Sequence, residues 1–189
     1  MRFIVIDGLD GAGKDTHASI IKQRYEEEGE KVVVRSHPSL DNIFGKKAKS
    51  ALLNGGRLSR PKATFYYTID VINSLLNYYG KADTVIFVRY LGGVAYFPEP
   101  VAKRLYKMLS KIFPTSSYMF FLDVDPEEAL KRVEKRKKTE IFENEEDLKK
   151  VKKRALSIMD GWHIVNTSRP IEEAQREIEA ILDEEDKKK

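Results

Sequence analysis

The sequence contains no cysteine. Disulfides, thiolate nucleophiles and zinc sites built on thiolates are therefore excluded. No apolar run approaches the roughly 20 residues of a membrane-spanning helix. The opening MRFIVIDG has too short an apolar stretch for a secretory leader and reads as a strand. A soluble cytoplasmic protein, with no membrane partner, is the expectation by elimination. Charge of one sign is not in marked excess: 34 Lys and Arg against 30 Asp and Glu leave a net +4. That gives weak attraction to phosphates and no reason to expect a nucleic-acid partner. Internal repeats and low-complexity linkers are also missing. What remains is a chain of 189 residues, 41% hydrophobic and 34% charged. It is long enough to bury a substantial core and is expected to form one globular domain.

Five short runs, RFIVID (2–7), KVVVRS (31–36), DTVIFV (83–88), SYMFFLDV (117–124) and WHIVNT (162–167), are β-branched or aromatic and almost continuously apolar. This is the pattern of strands buried on both faces of a parallel sheet. Helical patterns lie between and after them, over 14–28, 41–54, 61–79, 99–112, 126–138, 145–159 and 170–185. The first ends before Gly29, a natural stop, and the fifth opens on Pro126 and two glutamates, which suit a helix N-terminus. Alternation of strand and helix predicts an α/β fold: a five-stranded parallel sheet with helices on both faces, in three layers. The tail DEEDKKK is expected to fray into solvent.

The loop GLDGAGKDT (8–16) lies between the first strand and the first helix. Gly8, Gly13 and Lys14 fit the phosphate-cradling pattern G-x-x-x-x-G-K-[ST], but the hydroxyl position holds Asp15, followed by Thr16. Gly8, Gly11, Ala12 and Gly13 allow main-chain amides to turn toward phosphate oxygens, and the helix behind adds its positive N-terminus. Lys14 supplies a point charge for the β- and γ-phosphates. Arg89 follows VIFV at the carboxyl end of a central strand, where open α/β sheets bind ligands. An arginine there can bridge an acceptor phosphate and a phosphoryl group in transfer.

FIVIDGLDGAGKDTHA resembles the start of thymidylate kinases, and the resemblance extends through VIFVRYLGGVAYF and FFLDVDPEEALKRVEKRKK to WHIVNTSRPIEEAQREI. It implies a P-loop kinase that uses ATP and magnesium to phosphorylate dTMP, with a mobile lid, here about 136–147, and a homodimeric assembly. Residue by residue, it places Asp10 beside the acceptor sugar, Tyr67 under the acceptor base, and Tyr90 and Tyr96 along the acceptor pocket. Arg132 and Arg136, four apart on one helix face, become the nucleotide-binding and catalytic candidates of the lid, because Gly11 stands where a second subgroup carries arginine.

Four departures from the family accompany these matches. Val71 occupies the position of an arginine that reads the base edge, leaving Asp70 and Asn73 as polar substitutes. Ile141 occupies the usual lid-arginine position. Val88 replaces the aspartate of an Asp-Arg-Tyr strand end, while Asp15 replaces the loop hydroxyl. One carboxylate is thus lost and another gained, so Asp15 and Thr16 are the candidate magnesium ligands. Arg35 and Lys46 are further candidates for the acceptor phosphate. The departures keep open a kinase for another nucleoside monophosphate or a nucleoside, and a non-catalytic nucleotide-binding protein.

Overall fold

The structure, a computed structural model, describes residues 1–53, 59–135 and 145–188. Five strands, β1 (Arg2–Gly8), β2 (Val32–Ser36), β3 (Thr84–Val88), β4 (Tyr118–Asp123) and β5 (His163–Asn166), form one sheet in the order β2-β3-β1-β4-β5. Every pairing is parallel. At the centre Ile4 of β1 lies opposite Ile86 of β3 on one side and Tyr118 of β4 on the other.

Seven α-helices alternate with the strands among the described residues: α1 (Lys14–Glu27), α2 (Ile43–Leu53), α3 (Ser59–Tyr78), α4 (Glu99–Ile112), α5 (Pro126–Lys135), α6 (Glu145–Ile158) and α7 (Ile171–Asp186). A short 3₁₀ turn, Gly92–Tyr96, follows β3 and has no counterpart in the helical periodicity. Consecutive residues of β1, β3 and most of β4 are buried. Successive side chains point to opposite sides, so both faces of the central sheet are covered. The edge strands depart from the expectation of full burial: β2 is half-buried throughout and β5 buries only Val165 fully. An edge strand lacks one neighbour, and its flank meets solvent.

Two boundaries move for identifiable reasons. Helix α2 starts at Ile43 because Asn42 Oδ1 accepts the amides of Phe44 (2.9 Å) and Gly45 (3.0 Å), which caps the helix. Asp41 instead forms a bidentate pair with the Arg35 guanidinium, at 2.5 and 2.9 Å. Helix α7 runs into the supposedly frayed tail, because Asp186 accepts from Arg2 Nε and from the Tyr118 hydroxyl, both at 2.7 Å.

Candidate active site

The carboxyl ends of β1, β2 and β3 lie side by side and carry the glycine loop, Ser36 and Arg89. In the loop Gly8 has φ +152° and Gly11 has φ +80°. A Cβ on Gly8 would sit 2.6 Å from the Leu122 carbonyl oxygen, and one on Gly11 2.6 Å from that of Ala129. Backbone rather than side chain blocks both positions, so only glycine lets the loop lie against β4 and α5. The loop ends at the N-terminus of α1, which favours anions.

Lys14 is buried at that N-terminus. Its Nζ donates to the carbonyl oxygens of Gly8 (2.8 Å) and Leu9 (2.5 Å) and lies 3.6 Å from Asp10. Burial, reinforced by the nearby Arg89 guanidinium, pushes its pKa down to about 8. The Lys14 ammonium is thus already solvated by main-chain carbonyls that a phosphate can replace.

Arg89, directly beyond β3, is the only non-glycine residue of the described chain with positive φ, +59°. That conformation costs an L-residue about 1–2 kcal/mol, so the surroundings must hold it. The Arg89 amide donates to the Ile6 carbonyl at 3.0 Å. The next three amides, of Tyr90, Leu91 and Gly92, all donate to the buried Asp7 carboxylate at 2.9–3.2 Å. Burial pushes the Asp7 pKa up, against those amides and Lys14. Asp7 is therefore the anchor of the Arg89 turn. On the other side the Tyr67 hydroxyl donates to the Arg89 carbonyl.

The Arg89 guanidinium lies between two carboxylates, 3.3 Å from Asp15 and 3.6 Å from Asp10, and donates to Ser36 Oγ at 3.1 Å. Ser36 Oγ in turn donates to Asp15 at 2.9 Å. Burial pushes both carboxyls up, but the cations prevail, chiefly Lys14 at Asp10 and Arg89 at Asp15, and hold them below the usual carboxylate range. The sequence candidates Asp10, Lys14, Asp15 and Arg89 are thus one contiguous charge cluster on the glycine loop.

The remaining candidates separate. Thr16 is one step, about 100° of helix, from Asp15. It lines a pocket of about 200 Å³ with Gly11, Gly13, Arg132, Thr167 and Arg169. Arg132 also donates to the Gly11 carbonyl at 3.4 Å, so it faces the loop as expected. Arg136 and residues 136–144 of the expected lid lie outside the described residues. Tyr90 is packed into the core: its ring is buried against Phe3, Phe87 and Phe113, and its hydroxyl donates to the Pro114 carbonyl at 3.1 Å. The Arg89 turn directs the next side chain into the core. Tyr96 ends the 3₁₀ turn, 40% exposed.

Of the two polar substitutes for the missing base-reading arginine, Asp70 is committed to the protein, and Asn73 is half-buried with its oxygen already accepting a bond. Asp70 is fully buried and accepts from Ser39 and from Asn42, and the Asn73 amide oxygen accepts from Asn77. Val71 is a core residue, 1% exposed. Arg35 is held by Asp41 and stacks 4.5 Å over the Tyr78 ring. Sequence reasoning missed Ser36, Thr167 and Arg169. Their one sequence signal is position: each stands at the carboxyl end of a strand or just beyond it, where sheets of this class collect ligands.

An all-parallel sheet with a glycine-lined anion site after its central strand, and an arginine facing that site from the next strand, defines a P-loop kinase. Two solved structures share the fold: a thymidylate kinase from Candida albicans (23% identity, TM-score 0.77, covering 96% of this chain and 91% of that one) and a deoxyadenosine kinase from M. mycoides with bound dATP (15%, 0.70, 96% and 99%). A probable thymidylate kinase from Archaeoglobus fulgidus is 35% identical over 188 residues, 95% of this chain and 94% of its own length. Another from Pyrococcus abyssi is 26% identical over 195 residues, 95% of each. Residues 6–178 match the family model described as Thymidylate kinase. The chain belongs to the thymidylate kinase family, a family of nucleoside monophosphate kinases.

Proposed function

We propose that the protein is a single-domain dTMP kinase, transferring the γ-phosphoryl group of ATP to dTMP to give dTDP. The observation that carries this reading is Arg89, held at positive φ between Asp10 and Asp15, directly in front of Lys14 and the glycine loop. A protein that merely held a nucleotide would have no use for a strained arginine on the acceptor side. In the proposed reaction the glycine loop and Lys14 bind the β- and γ-phosphates. The Arg89 guanidinium leaves Asp15 for the oxygens of the transferring group, where it offsets charge that grows in the transition state. Asp10, kept ionised by Lys14 and Arg89, accepts a hydroxyl of the acceptor sugar. Tyr67 presents its ring to the acceptor base, and Tyr96 borders the same side. Arg132 and Thr16 bound the donor-nucleotide pocket, and Arg136 of the lid is the further catalytic cation.

Magnesium fits the Asp15 side of the cluster. Asp15 is a half-exposed carboxylate with the Ser36 hydroxyl beside it, and among the described residues no group of three acidic or histidine side chains forms an all-protein cage. A hard cation that keeps most of its waters needs only one or two carboxylates. Asp15 would hold it, with Ser36 alongside. Thr16 faces the pocket instead, and we assign it to the phosphate nearest the base. When bound, magnesium neutralises phosphate charge.

A second acceptor is favoured by one observation: Val71 is sealed in the core where the family carries its base-reading arginine. A coupled ADP-release assay across dTMP, dUMP, dCMP, UMP, CMP, dAMP, dGMP and thymidine separates the readings. The highest kcat/KM with dTMP is expected. A higher value with another acceptor replaces the dTMP assignment, and tight ATP binding without turnover removes the kinase assignment.

The proposal extends to a cytoplasmic homodimer. No described helix is long and apolar enough to cross a membrane. Helix α3 and the residue after it expose Phe65, Ile72, Leu76 and Tyr79 along one side, an apolar stripe suited to a second copy.

A further inference from the structure

The peptide between Arg89 and Tyr90 is gripped from both sides. Its N–H, on Tyr90, donates to Asp7 at 3.1 Å, and its carbonyl, on Arg89, accepts the Tyr67 hydroxyl. A peptide unit is planar, so fixing both ends sets the plane and with it the backbone angles on either side. One of those angles is ψ of Arg89; with the preceding peptide held by the Arg89 amide on the Ile6 carbonyl at 3.0 Å, the two grips together fix the left-handed backbone of a residue whose guanidinium lies between Asp10 and Asp15. We propose that the Tyr67 hydroxyl is a positioning group for Arg89: helix α3, through this bond and together with Asp7 on the other side, holds the strained turn that places the guanidinium over the glycine loop. The inference rests on the reading that Arg89 meets the transferring phosphoryl group.

Three details support the role. The Tyr67 phenol stays protonated, because burial raises its pKa well above the ordinary value, so it is a permanent donor. The ring lies beside Gly93, where a Cβ would be 3.9 Å from its Cε1, with the buried His37 ring edge-to-face 6.3 Å away. Asp7 cannot replace it, because a carboxylate fixes only the N–H side. A phenylalanine would offer a base the same platform, so the hydroxyl has a task distinct from stacking.

The test is Tyr67→Phe, alone and combined with Arg89→Ala, in single-turnover and steady-state assays on whichever acceptor the wild type prefers. Alone, the substitution is expected to lower kcat roughly 5- to 30-fold while leaving the acceptor KM within about twofold. In the Arg89→Ala background it should change kcat by less than about twofold, since the group it positions is gone. Equal losses in both backgrounds would mark a merely structural residue and overturn the proposal. So would unchanged kcat, or a raised KM with unchanged kcat, which would reduce Tyr67 to a base platform. If the wild type turns over no acceptor, the kinase reading fails separately. The positioning role is then read from a crystal structure of Tyr67→Phe: a guanidinium moved from between Asp10 and Asp15 supports it, and one left in place overturns it.

Discussion

Asp15 puts a negative charge beside the glycine loop, where the proposed reaction brings nucleotide phosphates, and Arg89 neutralises it at 3.3 Å. Once Arg89 turns to the phosphates, that carboxylate repels them unless a cation takes its place. ADP should therefore bind at least roughly tenfold more tightly with magnesium than with chelator. Asp15→Ser should narrow the gap by strengthening binding in chelator. Isothermal titration under the two conditions measures both, and equal wild-type affinities would remove Asp15 from the metal site. Lys14 sets a pH dependence. Its pKa in the folded protein is about 8, below the ordinary lysine value, because of burial and Arg89. Below pH 8 the ammonium is present and, in the proposed role, available to phosphate; as pH rises through 8 it is lost. ADP affinity should be flat below that point and fall above it. The stability of the nucleotide-free protein has the opposite sign: the cost of burying a charged lysine is relieved as pH rises from 8 toward the unfolded value. Fluorescence titration of ADP across pH 6.5–9.5 follows the binding limb. At this scale the loop and Arg89 were legible in the sequence, since spacing and strand context identify them. Tyr90 was not, because an αL residue before it reverses which way a side chain points.

At the scale of elements, most boundaries follow apolar periodicity and end signals; of the exceptions, the start of α2 follows a local cap and the end of α7 follows long-range bonds. Arg2 at the start of β1 is buried over the Tyr25 ring, 3.8 Å from its centroid, and pairs with Glu30 (2.7 Å) and Asp186 (2.7 Å). It ties β1, the end of α1 and the end of α7 at the amino-terminal end of the central strand, the end opposite the glycine loop. Arg2→Gln leaves two carboxylates without their cation and should cost about 3 kcal/mol, read as a lower urea midpoint. Burial pushes the Asp186 carboxyl up, but bonds from Arg2, Tyr118 and Tyr25 prevail and hold it below the ordinary value. Its contribution is therefore complete above the unfolded carboxyl pKa, about 4, and is lost as pH falls through the lower folded value. The acid limb of the stability curve should be shallower in Arg2→Gln. No local pattern announces this tie: a run of acids and lysines reads as solvated until α7 is laid beside β1.

At the scale of the whole molecule, the stripe on α3 separates a core face from an outer one. Leu76, on that stripe, is 72% exposed. Leu76→Glu should convert the proposed dimer to a monomer in analytical ultracentrifugation; a wild type that sediments as a monomer would end the homodimer reading. The sequence by itself determined the alternation of strand and helix, the parallel sheet and the phosphate loop. These rest on short-range chemistry: periodicity, glycine's freedom at positive φ, and a lysine at fixed spacing. Only the tertiary structure decided that Asp15, Asp10 and Ser36 converge on Arg89, that Asp70 serves a loop rather than a base, and that Tyr67 reaches a carbonyl 22 residues away. Those facts depend on which strand ends lie side by side, and the order β2-β3-β1-β4-β5 is set by packing across the sheet, which no local stretch of sequence contains.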